Sequence, residues 1–104
     1  MNMLLPKAQI VRDRKYLDYL QNQPCIVTKK RDVEPAHLRL LGSGGMSLKP
    51  SDARALPLYW ELHREQDNKN GEGMFWVRMA NEHPMFLWEM LIEVAEQRYE
   101  RWKR

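Results

Sequence analysis

The chain has one cysteine, Cys25, among 104 residues. An intramolecular disulfide is therefore impossible, and a structural zinc site, which closes around four protein ligands and usually includes thiolates, could draw at most one thiolate from this chain. A reducing, cytoplasmic setting is the expectation. Long apolar runs are also missing. None approaches the roughly 20 residues that span a bilayer, and Met1 to Pro6 has neither the basic start nor the apolar stretch of an export leader. No membrane partner is expected. Glycine is scarce, confined to the stretches 42–45 and 71–73, which mark two loops. Internal repeats and low-complexity segments are absent.

What the chain does have is the composition of a folded protein. With 43% hydrophobic residues, 30% charged residues and four Trp, it carries enough aromatic and aliphatic surface to offset chain entropy. The length predicts one domain over 1–104. A net charge of +3 favours a polyanionic partner, though only modestly.

Hydrophobic spacing predicts a mixed α+β chain. Tyr16, Leu17 and Leu20 recur at helical steps within Arg12–Gln21, and Pro24 blocks continuation. Cys25–Thr28 is rich in β-branched residues and predicts a short strand, followed by the polar Lys29–Asp32 and a second extended stretch, Val33–Leu41. After the first glycine loop, Ser51 or Asp52 can cap the next element. Leu56–Leu58 leads into a helix over Tyr59–Asp67. The last helix is expected to be capped by Asn81, with Pro84 in its first turn and one face formed by Trp88, Leu91, Ile92, Ala95, Tyr99 and Trp102. His83, beside Pro84, fits a capping or surface role at the opening of that helix. Met74, Phe75, Trp76 and Met79 fit a core. Arg98, Arg101, Lys103 and Arg104 suit the negative end of the last helix dipole, so a solvated helix end explains them better than a nucleic-acid contact.

Three polar residues punctuate the middle third: His37 at the end of an extended segment, Asp52 after the glycine-rich loop, and His63 on a short helix. Asp67 follows His63 at i+4, so imidazole and carboxylate share a helix face and can reach one divalent cation while leaving other coordination positions open. Neutral imidazole is well matched to taking a proton near pH 7, which fits His37 as a general base. Asp52 either orients the loop or His37 by hydrogen bonding or supplies a further metal ligand. Arg39, Lys49, Arg54 and Arg64 lie close in sequence, and phosphates are natural partners for them, Arg39 and Lys49 above all. An activated water, a cation and phosphate-holding side chains are what hydrolysis of a phosphodiester requires.

The residues Glu34-Pro35-Ala36-His37-Leu38-Arg39, Gly44-Gly45-Met46, Lys49-Pro50-Ser51-Asp52, Leu56-Pro57-Leu58 and His63-Arg64-Glu65-Gln66-Asp67 resemble the small HNH-type nucleases of phages and prophages, over about Tyr16–Trp76 and with a core motif at 25–76. The resemblance implies a ββα-metal core with an added N-terminal helix and a long C-terminal amphipathic helix. It implies His37 as general base, Asp52 as loop anchor, and His63, with Asp67, as metal ligands. The implied activity is metal-dependent endonucleolysis of DNA with low sequence specificity, in phage DNA processing or recombination. Mg²⁺ is the first expectation for the ion, with Mn²⁺, Zn²⁺ or Ni²⁺ as alternatives.

The chain also departs from that pattern. Many relatives hold a structural zinc with two Cys-x-x-Cys pairs. Here Thr28 replaces the partner of Cys25, and Tyr59 and Leu62 occupy the region of the second pair, so Tyr59, Trp60 and Leu62 are expected to substitute apolar packing for zinc. Ala36 stands where many HNH proteins place an acidic or histidine ligand. That departure supports an alternative, a catalytically degenerate HNH-type module that binds nucleic acid or protein without cleaving. A third possibility is a metal-independent interaction module built on the Trp-rich C-terminal helix, whose apolar positions could also support a homodimer.

Overall fold

The computed structural model describes residues 10–39, 50–67, 71–83 and 90–104. Lys49, the 42–45 glycine loop, Pro84 and Trp88 lie outside the described residues. Asp13 opens the first helix: its carboxylate accepts from the Tyr16 amide at 3.1 Å, satisfying one of the donors a helix start leaves unpaired. Helix α1 then runs Arg14–Gln21 and buries Tyr16 and Leu20, as their four-residue spacing predicts.

Cys25–Thr28 corrects the expected strand, because it is a tight turn. The Cys25 amide donates to the Lys30 carbonyl at 2.9 Å and the Lys29 amide to the Cys25 carbonyl at 3.0 Å, folding the segment on itself. Ile26 and Val27 pack against the core from this turn, so tertiary burial overrides their β preference.

Strands β1 (Val33–His37) and β2 (Ala55–Tyr59) form a two-stranded antiparallel sheet in which Pro35 faces Pro57. Proline has no amide hydrogen, so this pair fits only a non-hydrogen-bonded position, where backbone groups point away from the partner strand. The Pro57 carbonyl accordingly accepts from Ile26 outside the sheet, at 2.9 Å. Counting by twos from that pair puts Val33, His37, Ala55 and Tyr59 on one face and Glu34, Ala36, Leu56 and Leu58 on the other. The side chains of His37 and Glu34 thus leave β1 on opposite faces.

A 3₁₀ turn, Asp52–Arg54, leads into β2. Ser51 caps it, its hydroxyl accepting from the Ala53 amide at 3.2 Å. Helix α2 follows β2 at once, over Trp60–Gln66, with Asp67 at its C-terminal cap.

The second glycine stretch is only half a loop. Gly71 has a φ of 101°, which suits glycine, but Gly73 already lies in α3, Glu72–Glu82. Phe75, Trp76 and Met79 are buried there as expected, whereas Met74 is 66% exposed. Asn81 is inside α3 and His83 caps its C-terminal end, so neither opens the last helix. The apolar Phe75, Trp76 and Met79 face continues the helix across the position where Asn81 suggested a start. Helix α4 covers Leu91–Lys103 and buries Leu91, Ala95 and Tyr99.

The chain is mixed α+β, and among the described residues the core falls in two parts. Ala36, Leu56 and Leu58 join Cys25, Phe75, Trp76, Met79 and Leu91 in the larger. Ala53 and Ala55 join Tyr16, Leu20 and Tyr99 in the smaller. Among the described residues, no helix is long and apolar enough to cross a membrane.

Candidate active site

His37 ends β1 on the face of Ala55, and the 3₁₀ turn brings Asp52 to it. Its Nε2 lies 2.8 Å from Asp52 Oδ1, with both side chains largely buried, 18% and 7% exposed. A carboxylate only accepts, so Nε2 carries the hydrogen, and in the neutral form of the ring the lone pair is at Nδ1. The other carboxylate oxygen, Asp52 Oδ2, accepts from the Asp13 amide at 2.8 Å. The Asp52 amide in turn donates to the Val11 carbonyl at 2.9 Å, and the Val11 amide to Ser51 Oγ at 3.0 Å. The segment entering α1 therefore fixes the carboxylate that fixes the imidazole.

His63 sits on α2 with the complementary arrangement. Its Nδ1 is 2.7 Å from Glu34 Oε1, so Nδ1 is the protonated nitrogen and Nε2 faces Asp67, 3.7 Å from Oδ2. Two donors at about 2.1 Å from one divalent ion stand about 3.0 Å apart at a right angle and about 4.2 Å apart when opposed. The 3.7 Å separation of Nε2 and Oδ2 falls inside that span. Imidazole plus carboxylate is a donor set that suits first-row and alkaline-earth ions with open positions. Among the described residues, no group of three His, Cys, Asp or Glu side chains forms a metal cage.

The two pairs leave opposite faces of β1 and are connected at its end. Gln66, 2% exposed, donates from Nε2 to the His37 carbonyl at 3.1 Å and to Glu72 Oε2 at 2.9 Å. Glu72 also accepts from the Arg39 amide at 3.1 Å and from the Trp76 indole at 3.0 Å. The Arg39 guanidinium reaches Asp67 Oδ1 at 2.9 Å. Arg64 does not join this group; it stacks over Trp60, 4.8 Å from the ring centre. Arg54 pairs with Glu96 of α4 at 2.7 Å, largely buried, which ties the 3₁₀ turn to the last helix.

Sequence reasoning thus finds both pairs but misses Glu34, Gln66, Glu72 and Asp13. Glu34 has a usable signal, since it lies on the Ala36 side of an alternating strand; the others depend on contacts between elements that no spacing encodes.

The Cys25 thiol is buried, with its sulfur accepting from the Thr28 amide at 3.4 Å. Burial, the largest influence, pushes its pKa up, but hydrogen bonds from the Thr28 side chain and from the Thr28, Tyr59 and Val27 backbone outweigh it and leave the thiol below its ordinary value. Tyr59 and Leu62 pack partly buried against the same cluster.

A family model described as "Protein of unknown function (DUF968)" matches residues 1–83. The chain belongs to the DUF968 family. The stretch matched to DUF968 contains both histidine–carboxylate pairs and ends at His83, before α4. No curated protein and no solved structure matches the chain.

Proposed function

We propose that this protein is a metal-dependent endonuclease of the HNH type, with His37 as general base and His63 and Asp67 as metal ligands. The observation that carries the reading is the opposite engagement of the two imidazoles. Asp52 holds His37 by Nε2 and leaves Nδ1 as a base, whereas Glu34 holds His63 by Nδ1 and leaves Nε2 as a ligand. A histidine oriented through one nitrogen by a carboxylate while the other binds a metal is a recurrent arrangement, and the same device sets the tautomer of a catalytic base. The order β1, β2, α2, with one histidine ending β1 and the other on α2, supports a ββα-metal core.

A bound divalent ion supplies charge stabilisation at the phosphoryl and leaving-group oxygens. His37 Nδ1 accepts the proton of the attacking water, and Asp52 offsets the positive charge that the ring then carries. Arg39 contributes a guanidinium to a phosphate oxygen. Asp52 acts as the orienting residue of His37, with one oxygen accepting from the ring and the other held by the Asp13 amide.

DNA is the proposed substrate, with low sequence specificity. The test is incubation of supercoiled plasmid and of single-stranded DNA with Mg²⁺, Mn²⁺ or EDTA. The expected result is nicking or fragmentation with metal and none in EDTA. Cutting that persists in EDTA, or intact DNA under every condition, contradicts the proposal.

One observation favours a second reading, binding without cleavage. Ala36 lies on the sheet face of Glu34, which engages His63, and offers only a methyl group there; Asp67 is already paired with Arg39. A weak metal site would follow, and intact DNA that is nevertheless bound would select this reading.

A further inference from the structure

Where α2 begins, the structure sets cations on aromatic rings. The Lys30 ammonium is 4.9 Å from the centre of the Tyr59 ring, the Arg64 guanidinium is 4.8 Å from that of Trp60, and the two rings are 5.9 Å apart. Lys29, Lys30, Arg31 and Arg64 are exposed, and both aromatic residues are half-buried. The three consecutive cations stand on an unusual backbone. Lys29 and Asp32 each have a φ of 66°, a left-handed conformation that disfavours a residue with a Cβ.

The turn is held there from several sides. Lys29 and Lys30 are tied to Cys25 by backbone bonds, the Lys30 amide donates to Thr28 Oγ1 at 3.3 Å, and the Trp60 amide donates to the Asp32 carbonyl at 3.2 Å. The cations therefore project from a fixed turn. Four carboxylates are exposed nearby in the chain, Asp32, Glu34, Glu61 and Glu65; Glu34 pairs with His63 and Glu65 with Arg78, which leaves Asp32 and Glu61 against four cations and an excess of positive charge. Glu34 is engaged by His63, and Arg64 directly follows His63 on α2, so this surface borders the proposed metal ligand.

We infer that Lys29, Lys30, Arg31, Tyr59, Trp60 and Arg64 form a docking surface for a nucleic-acid strand, bound through its phosphates and by stacking of an unpaired base on Trp60. Ammonium and guanidinium groups provide the phosphate contacts, which dominate affinity and make it salt-dependent. The interleaved rings distinguish this partner from other polyanions, because every base offers a π face and an acidic peptide offers none. The inference rests on the nuclease reading for the role of a polymer beside His63, and it is measurable without any cutting.

The experiment is fluorescence anisotropy of a short labelled single strand and of a blunt duplex, in EDTA and over a range of salt. Lys29→Gln/Lys30→Gln/Arg31→Gln, Arg64→Gln and Trp60→Leu are compared with Arg101→Gln/Lys103→Gln, which removes cations from the end of α4. The triple variant is expected to weaken binding about ten-fold or more and to flatten the salt dependence by about two phosphate contacts. Trp60→Leu should weaken the single strand more than the duplex, and the α4 variant should bind as the parent chain does. Lys30→Gln alone, with a parental unfolding midpoint, guards against a folding artefact in the triple variant.

Absence of binding by the parent chain overturns the inference. So do equal losses in the turn and α4 variants, or displacement of the strand by polyglutamate at equal charge. The two readings fail differently. Metal-dependent cutting with unchanged affinity in the turn variants removes this surface and keeps the nuclease, whereas binding that needs these residues without any cutting keeps the surface and removes the nuclease.

Discussion

Asp52 has only acceptors to offer, and it offers one to the Asp13 amide and one to His37 Nε2. An amide in its place has a single acceptor oxygen, so Asp52→Asn must turn its NH₂ toward one of these two donors. If His37 faces the NH₂, its Nε2 becomes the acceptor and the proton moves to Nδ1, which disables the base without touching His63. The variant is expected to cut about a thousand-fold more slowly or worse, with Mn²⁺ affinity unchanged. Nitrogen NMR of the His37 ring checks the cause directly. A ring still protonated at Nε2 together with a thousand-fold loss would contradict this explanation.

At this scale the four residues of the candidate site can be picked out in the sequence because the proposed chemistry depends on residue type and order. His63 and Asp67 need only the helical i, i+4 rule. Sequence alone leaves Asp52 open between orienting residue and ligand, and the bond to His37 is the geometry that the first of these requires. Glu34 is legible only as far as strand alternation sets it on the Ala36 face, and Gln66 is not legible at all, since a glutamine near a helix end is an ordinary surface residue until packing places it.

Among the elements, α1 and α4 are held to each other by contacts of unequal worth. The Tyr99 hydroxyl donates to Asp13 Oδ2 at 2.9 Å, while the Tyr16 hydroxyl is buried with no hydrogen-bond partner among the described residues. The rings meet edge to face, 4.8 Å apart. Tyr99→Phe is expected to lower stability by about 1.5–3 kcal/mol, as for loss of a hydrogen bond to a charged group, and Tyr16→Phe to be neutral or stabilising. Urea denaturation of both variants decides this, and a larger loss for Tyr16→Phe would refute the assignment.

The elements also show where sequence patterns stop. The helical spacing of Tyr16 and Leu20 and of Leu91, Ala95 and Tyr99 transmits directly into α1 and α4, because one buried stripe suffices to specify a helix. Cys25–Thr28 has strand-forming residues but joins no strand ladder among the described residues, and its backbone bonds close a turn. Asn81 has the side chain of a cap, yet the apolar residues before it carry α3 through that position.

For the whole molecule, two buried phenols set an alkaline limit. Burial, the largest cause in both, pushes Tyr16 and Tyr99 up to about 12; the hydrogen bond and negative charge of Asp13 add to the effect at Tyr99. An unfolded chain ionises these groups near pH 10. Their folded pKa is raised, so the associated stability is fully present below about pH 10 and is lost as pH rises from about 10 to about 12. Unfolding midpoints in urea should fall through that window, and less steeply in Tyr99→Phe. Midpoints independent of pH up to about 12 would contradict the linkage.

The central claim, that one histidine is a base and the other a ligand in the same nuclease, is tested most directly by measuring Mn²⁺ affinity and plasmid cleavage together for the parent chain, His37→Ala and His63→Ala. The account predicts that His37→Ala binds Mn²⁺ like the parent and does not cut, and that His63→Ala loses both properties while remaining folded. Equal metal affinity in all three proteins, or cutting that survives His37→Ala, would contradict it.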